Sequence, residues 1–134
     1  MSQSLTIPKT LPKSQEARTW LSSMLHSEFA EDFSPKERNR ILLSLDEAIT
    51  NVVDHSQQAS TIEITLERHN DSIKVVIVDD GEPFDPLTYP APAMEDHLQG
   101  KDHGLGIHIL LQIMEAQYSR SDNKNYLVLT KKIT

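Results

Sequence analysis

The segment LSLDEAITNVVDHS, residues 43 to 56, sets Asp46, Glu47, Asn51, Asp54 and His55 among apolar residues spaced for a helix. Glu47 and Asn51 stand four residues apart and His55 four further on, so a helix would align them in one row, each a turn from the next. A carboxylate one turn from an amide oxygen offers a general base beside a ligand for a hard cation. The alternative is a solvated helix edge, because Ile41, Leu45, Ala48, Ile49 and Val52 supply a core stripe alongside. Two further stretches bear on the choice. VVIVDDGEPFD, residues 75 to 85, is an apolar run that stops abruptly at Asp79, Asp80 and Gly81. GKDHGLG, residues 100 to 106, carries three of the chain's four glycines and leads into a helical pattern. A glycine-rich helix start exposes free amides at the positive end of a helix dipole, a place for phosphate that the dipole alone favours by about 0.3 to 2 kcal/mol. Tight turns also use glycine for structural reasons alone.

These groups need elements to position them. SLTIPK suits a short edge strand ending at Pro8. From about Ser14 to Phe29, Ala17, Trp20, Leu21, Met24, Leu25 and Phe29 recur at spacings of three and four, the stripe of an amphipathic helix whose large residues belong to the core. A second helix should start at Ser34, with Pro35 in the first position and Glu37 closing a capping box, and run to about His55. STIEITLER and SIKVVIVDD alternate as strands and, joined by HND, predict a hairpin. Residues 83 to 103 show no period, hold four of the seven prolines and are too long for an idle connection, which predicts a lid. GLGIHILLQIMEA returns to helical spacing, and NYLVLTKKIT closes the chain as a strand or strand pair. The order predicts an α+β fold, a two-layer sandwich of a mixed, mostly antiparallel sheet with helices on one face.

The chain has 134 residues, enough for one domain spanning 1–134, and a net charge of −7. That charge disfavours non-specific nucleic-acid binding, so an anionic ligand must be held by local donors or by a metal ion. No apolar run approaches a membrane span, and MSQSLTIPKT lacks a signal-peptide core, so the expectation is a cytoplasmic protein without a membrane anchor. With no cysteine, thiolate metal sites and thiol nucleophiles are excluded. The six histidines form no metal-binding spacing, and His55 is expected to shape the edge of a site.

Taken together, Glu47 with Asn51, then VVIVDDGEPFDP, then GKDHGLGIHIL resemble the three motif boxes of the GHKL, or Bergerat-fold, ATP-binding superfamily. LDEAITNVVDH and the motif spacing are most similar to the small anti-sigma factor serine kinases, the RsbW-like group. The resemblance covers nearly the whole chain. It implies ATP and Mg2+ as cofactors, with Asn51 as the magnesium ligand, Asp79 accepting a hydrogen bond from the adenine amino group, and Glu47 as the catalytic base. Nucleotide-binding positions would further include Gly81, Lys101, His103, Gly104, Leu105 and Gly106. Two positions depart from the pattern: Pro83 replaces a further glycine, and His103 stands where a basic residue is common. The implied function is an ATP-dependent serine-protein kinase and anti-sigma factor, with a sigma factor and a STAS-type antagonist as partners. The competing reading is a non-catalytic partner-switching module in which nucleotide merely orders the lid. Dimerisation is common among such relatives, but no interface is evident in this sequence.

Overall fold

The computed structural model describes residues 2–9, 11–56, 58–88 and 105–133, with backbone alone at 11, 12 and 105–108. Strand β1 (Ser2–Pro8) leads into helices α1 (Leu11–Glu28) and α2 (Pro35–His55); strands β2 (Thr61–His69) and β3 (Ser72–Asp79) follow, then helix α3 (Leu105–Ile113) and strands β4 (Glu115–Ser121) and β5 (Lys124–Lys132). The sheet order is β1-β2-β3-β5-β4. All four pairings are antiparallel, so the antiparallel part of the expected sheet is the whole of it among the described residues.

The α2 start forms as its sequence dictates. Ser34 Oγ accepts the Glu37 amide at 3.1 Å, Glu37 Oε1 accepts the Ser34 amide at 3.1 Å, and Pro35 occupies the first turn. Two amides that no helical carbonyl could reach are thereby satisfied. The bonds from Ser34 hold the Glu37 carboxyl below its ordinary range. At the other end Ser56 leaves the helix in an extended conformation while its amide donates to the Val52 carbonyl at 3.0 Å.

The core lies between the helices and one face of the sheet. Leu21 and Leu25 of α1, Phe29 just beyond its end, and Ile41, Leu45, Ala48, Ile49 and Val52 of α2 are buried against Ile62, Ile64 and Leu66 of β2, Ile73, Val75 and Ile77 of β3, and Leu127 and Leu129 of β5. Strand alternation puts every second residue on this face. Trp20 and Met24 are partly buried and pack against the same cluster, as the α1 stripe implied.

One boundary differs from the sequence expectation. Helical spacing extended through Ala116, whereas α3 ends at Ile113 and β4 begins at Glu115. The competing demand is the sheet: β5 would otherwise carry an unpaired edge, and residues 115–121 pair with 124–130 across a two-residue turn. Asp122 and Asn123 both take positive φ (53° and 62°), the geometry whose twist matches a tight hairpin and that Asp and Asn tolerate. Of the expected lid, residues 89–103 lie outside the described residues; 83–88 run into a short 3-10 turn, Pro86–Thr88, with Pro86 buried.

Candidate functional site

Helix α2 presents Glu47, Asn51 and His55 in the predicted row, and none of the three is fully solvated: Asn51 is buried, Glu47 and His55 half-buried. Burial pushes the Glu47 carboxyl above its ordinary value of 4.5, and the neighbouring charges of Asp46 and Asp54 push it further. Both causes make the carboxylate a better proton acceptor. Asn51 is only 5% exposed, and its Nδ2 has no hydrogen-bond partner among the described residues. A buried amide left unpaired costs about 1–3 kcal/mol, so its position calls for an explanation beyond packing. Since the two ends of an amide are exchangeable by rotation, the same side chain can present its oxygen to a ligand.

The end of β3 supplies the second part. Ile73, Val75 and Ile77 face the core, and Asp79 continues that register, so a carboxylate 4% exposed lies where the next apolar residue would be. Three donors converge on its Oδ1: the Ser56 hydroxyl at 2.6 Å, the Gly81 amide at 3.0 Å and the Asn125 side-chain amide at 3.0 Å. Oδ2 receives none of the hydrogen bonds among the described residues. Ser56 ties this carboxylate to the end of α2, from which Asn51 is five and Glu47 nine residues back, about 7.5 and 14 Å along the helix axis. The Asp79 acceptor thus sits beside the C-terminal end of α2, with the Asn51 amide and then the Glu47 carboxylate further back along that helix.

Neighbouring contacts stiffen this end of the sheet. Asp80 Oδ1 accepts the amides of Ser60 (2.7 Å) and Thr61 (3.1 Å), and its Oδ2 accepts the Ser60 hydroxyl. These bonds, the hydroxyl first, hold its carboxyl down at about 2 against an ordinary 3.8. Lys9 donates to the Ser56 carbonyl at 3.0 Å, and the Phe84 ring stacks on His55 with centroids 5.6 Å apart. His55 is thereby packed against the segment that follows Gly81.

The residues on hand fit an adenine nucleotide. Asp79 Oδ2 is an acceptor suited to an exocyclic amino group, whereas the guanine carbonyl would face a carboxylate it cannot satisfy. Asn51 is the residue that would offer one oxygen to Mg2+, a cation that takes oxygen ligands. Among the described residues no cluster of three or more His, Asp or Glu could hold a metal ion unaided. Gly81 lies beside Asp79; Leu105 and Gly106 open α3, which packs against α2. Lys101, His103 and Gly104 lie outside the described residues. Ser56, Asn125, Tyr118 and Arg120 are parts of this end of the sheet that the motif reading passed over. Asn125 had a partial signal in sharing the inward register of Leu127 and Leu129, whereas its direct pairing with Asp79 exists only in the assembled sheet.

An antiparallel sheet under three helices among the described residues, with a carboxylate and an amide on α2 and a buried aspartate closing β3, defines a nucleotide-binding domain of the histidine-kinase-like class. The family model of the histidine kinase-like ATPase domain matches residues 7–131, and the chain belongs to that family. Among solved structures, the RsbU and RsbW domains of Rv1364c from Mycobacterium tuberculosis superpose with a TM-score of 0.69 at 14% identity, over 99% of this chain. This chain spans 32% of that one. The SiaB–SiaC complex of Pseudomonas aeruginosa gives 0.58 at 15% identity, covering 96% of this chain and 88% of the other. Acinetobacter baumannii histidine kinase AdeS gives 0.53 at 14% identity, covering 98% and 68%. At these identities the similarity is one of fold. No curated protein matches significantly.

Proposed function

We propose that this protein is an ATP-dependent serine-protein kinase that also acts as an anti-sigma factor in a partner-switching system, with a STAS-type antagonist as phosphoacceptor. The observation that carries the proposal is the buried Asn51, whose Nδ2 has no partner among the described residues, one turn from the proton-hungry Glu47 on a helix whose C-cap, Ser56, is bonded to Asp79. Support for the partner class comes from the RsbW domain of Rv1364c and from the SiaB–SiaC complex, proteins of the same fold.

In this reading Asp79 selects the purine, and Asn51 would hold Mg2+, which when bound would neutralise charge on the triphosphate. Glu47 accepts the proton of the acceptor serine as its oxygen bonds to the γ-phosphorus; the bond from that phosphorus to the bridging oxygen breaks, and ADP leaves with the electron pair. Phosphoryl transfer demands positioning and charge neutralisation above all, so this short set of groups is adequate. The lid expected over about residues 83–103, and nucleotide-binding roles for Lys101, His103 and Gly104, belong to the same proposal.

The test mixes the protein with Mg·ATP and a STAS-type antagonist and compares wild type with Glu47→Ala. Phosphoserine should form with wild type and fall by about a hundredfold or more in the variant, the usual contribution of a positioned base. Equal labelling would remove Glu47 from its role. Tight ATP binding with no labelling by either form would instead favour the non-catalytic switch.

A further inference from the structure

Beyond Asp79 lies a polar chain that reaches the edge of the sheet. Asn125, 3% exposed, donates through Nδ2 to Asp79 Oδ1 at 3.0 Å and to the Glu82 carbonyl at 2.8 Å. Its Oδ1 accepts from the Tyr118 hydroxyl (2.5 Å), the Arg120 guanidinium (3.1 Å) and the Phe84 amide (3.2 Å). The same Arg120 nitrogen donates to the Gly81 carbonyl at 2.8 Å. Tyr118 and Arg120 lie two residues apart on β4, on the side facing the core, and both are half-buried.

The orientation of the Asn125 amide is therefore imposed. Turned over, it would direct NH2 at three donors and its oxygen at the Asp79 carboxylate, a pairing that is repulsive on both sides. Tyr118 and Arg120 supply two of those donors, one of them a cation, which strengthens the bond. Held this way, Asn125 completes the three-donor set on Asp79 Oδ1 and leaves Oδ2 as the oxygen open to a base. Arg120 in addition fixes Gly81, whose amide is another of the three donors.

Resting on the nucleotide reading above, we infer that Tyr118 and Arg120 are positioning residues for purine recognition: acting through Asn125 and Gly81, the edge strand β4 sets which face of Asp79 meets the 6-amino group. The chain crosses three strands, from β4 through β5 to β3.

The probe pair is ATP and purine riboside triphosphate, which lacks the 6-amino group, each titrated with Mg2+ against the whole chain. Wild type should prefer ATP by about tenfold or more, the value of a hydrogen bond to a charged acceptor. Tyr118→Phe combined with Arg120→Met should reduce that preference to about threefold or less, with affinity for purine riboside triphosphate within about threefold of wild type. A role confined to structure would weaken both ligands in parallel, and that result, or an unchanged preference, overturns the inference. If the double variant does not fold, Tyr118→Phe alone decides, because it removes a single oxygen: a preference lowered by about threefold supports the inference, and an unchanged one sinks it. Wild type that binds ATP without preference overturns the inference and the role of Asp79 together. Wild type that binds neither nucleotide overturns the nucleotide reading itself.

Discussion

Glu47 and Asp80 are two carboxylates with opposite perturbations, and each carries its own pH signature. The Glu47 carboxyl is raised by burial and by Asp46 and Asp54. A raised folded-state value means that the stabilising, protonated form is complete below the unfolded value and is lost as pH rises through the folded one. At neutral pH the charged form thus weakens the fold, and Glu47→Gln should raise Tm by about a degree or two at pH 7, with the gain shrinking toward pH 4. The same substitution should abolish phosphotransfer, so a thermal melt beside an activity assay separates the site role from a folding defect. Asp80 runs the other way. Its value falls from 3.8 to about 2, so its contribution is present above 3.8 and disappears as pH drops through about 2. An Asp80→Asn variant should lose stability at pH 7 and show a flatter decline than wild type between about pH 4 and 2, measured by urea unfolding across that range.

At the scale of elements, caps and alternation carried most of the information. The Ser34, Pro35, Glu37 start of α2 was legible because its chemistry is local: two hydrogen bonds within three residues. Ser34→Ala should cost about 1 kcal/mol, read as a lower urea midpoint at unchanged slope. The row of Glu47, Asn51 and His55 was legible for the same reason, being set by helical pitch. Asp79 was assigned through a motif, whereas Asn125, its direct partner across the sheet, was not assigned at all. The difference is that β3 precedes a recognisable glycine turn, while the importance of Asn125 exists only once β5 has been laid beside β3. Strand β4 was obscured in a similar way. EAQYSRS has little apolar content, and what makes it a strand is the turn at Asp122 and Asn123 together with a partner beyond it. Nonlocal pairing of this kind outweighs local propensity.

For the whole molecule, the site is a junction of distant segments: the end of α2, the end of β3, the start of β5 and the edge strand β4. A ligand gripping several of them should tighten all at once. ATP with Mg2+ should raise Tm by an amount that grows with the logarithm of its concentration, and GTP should raise it far less, a comparison a melt in each nucleotide provides. Among the described residues no helix is long and apolar enough to cross a membrane. One further consequence follows from strand β1, which precedes both helices and lies at the margin of the sheet among the described residues, with Ile7 opposite Ile62 and Leu5 opposite Ile64. During synthesis it emerges before β2, its neighbour in the sheet among the described residues, and both helices must leave the ribosome before β2 does. Strand β1 is therefore obliged to wait, and assembly would proceed from the β2–β3 hairpin outward, with β1 zipping on afterwards.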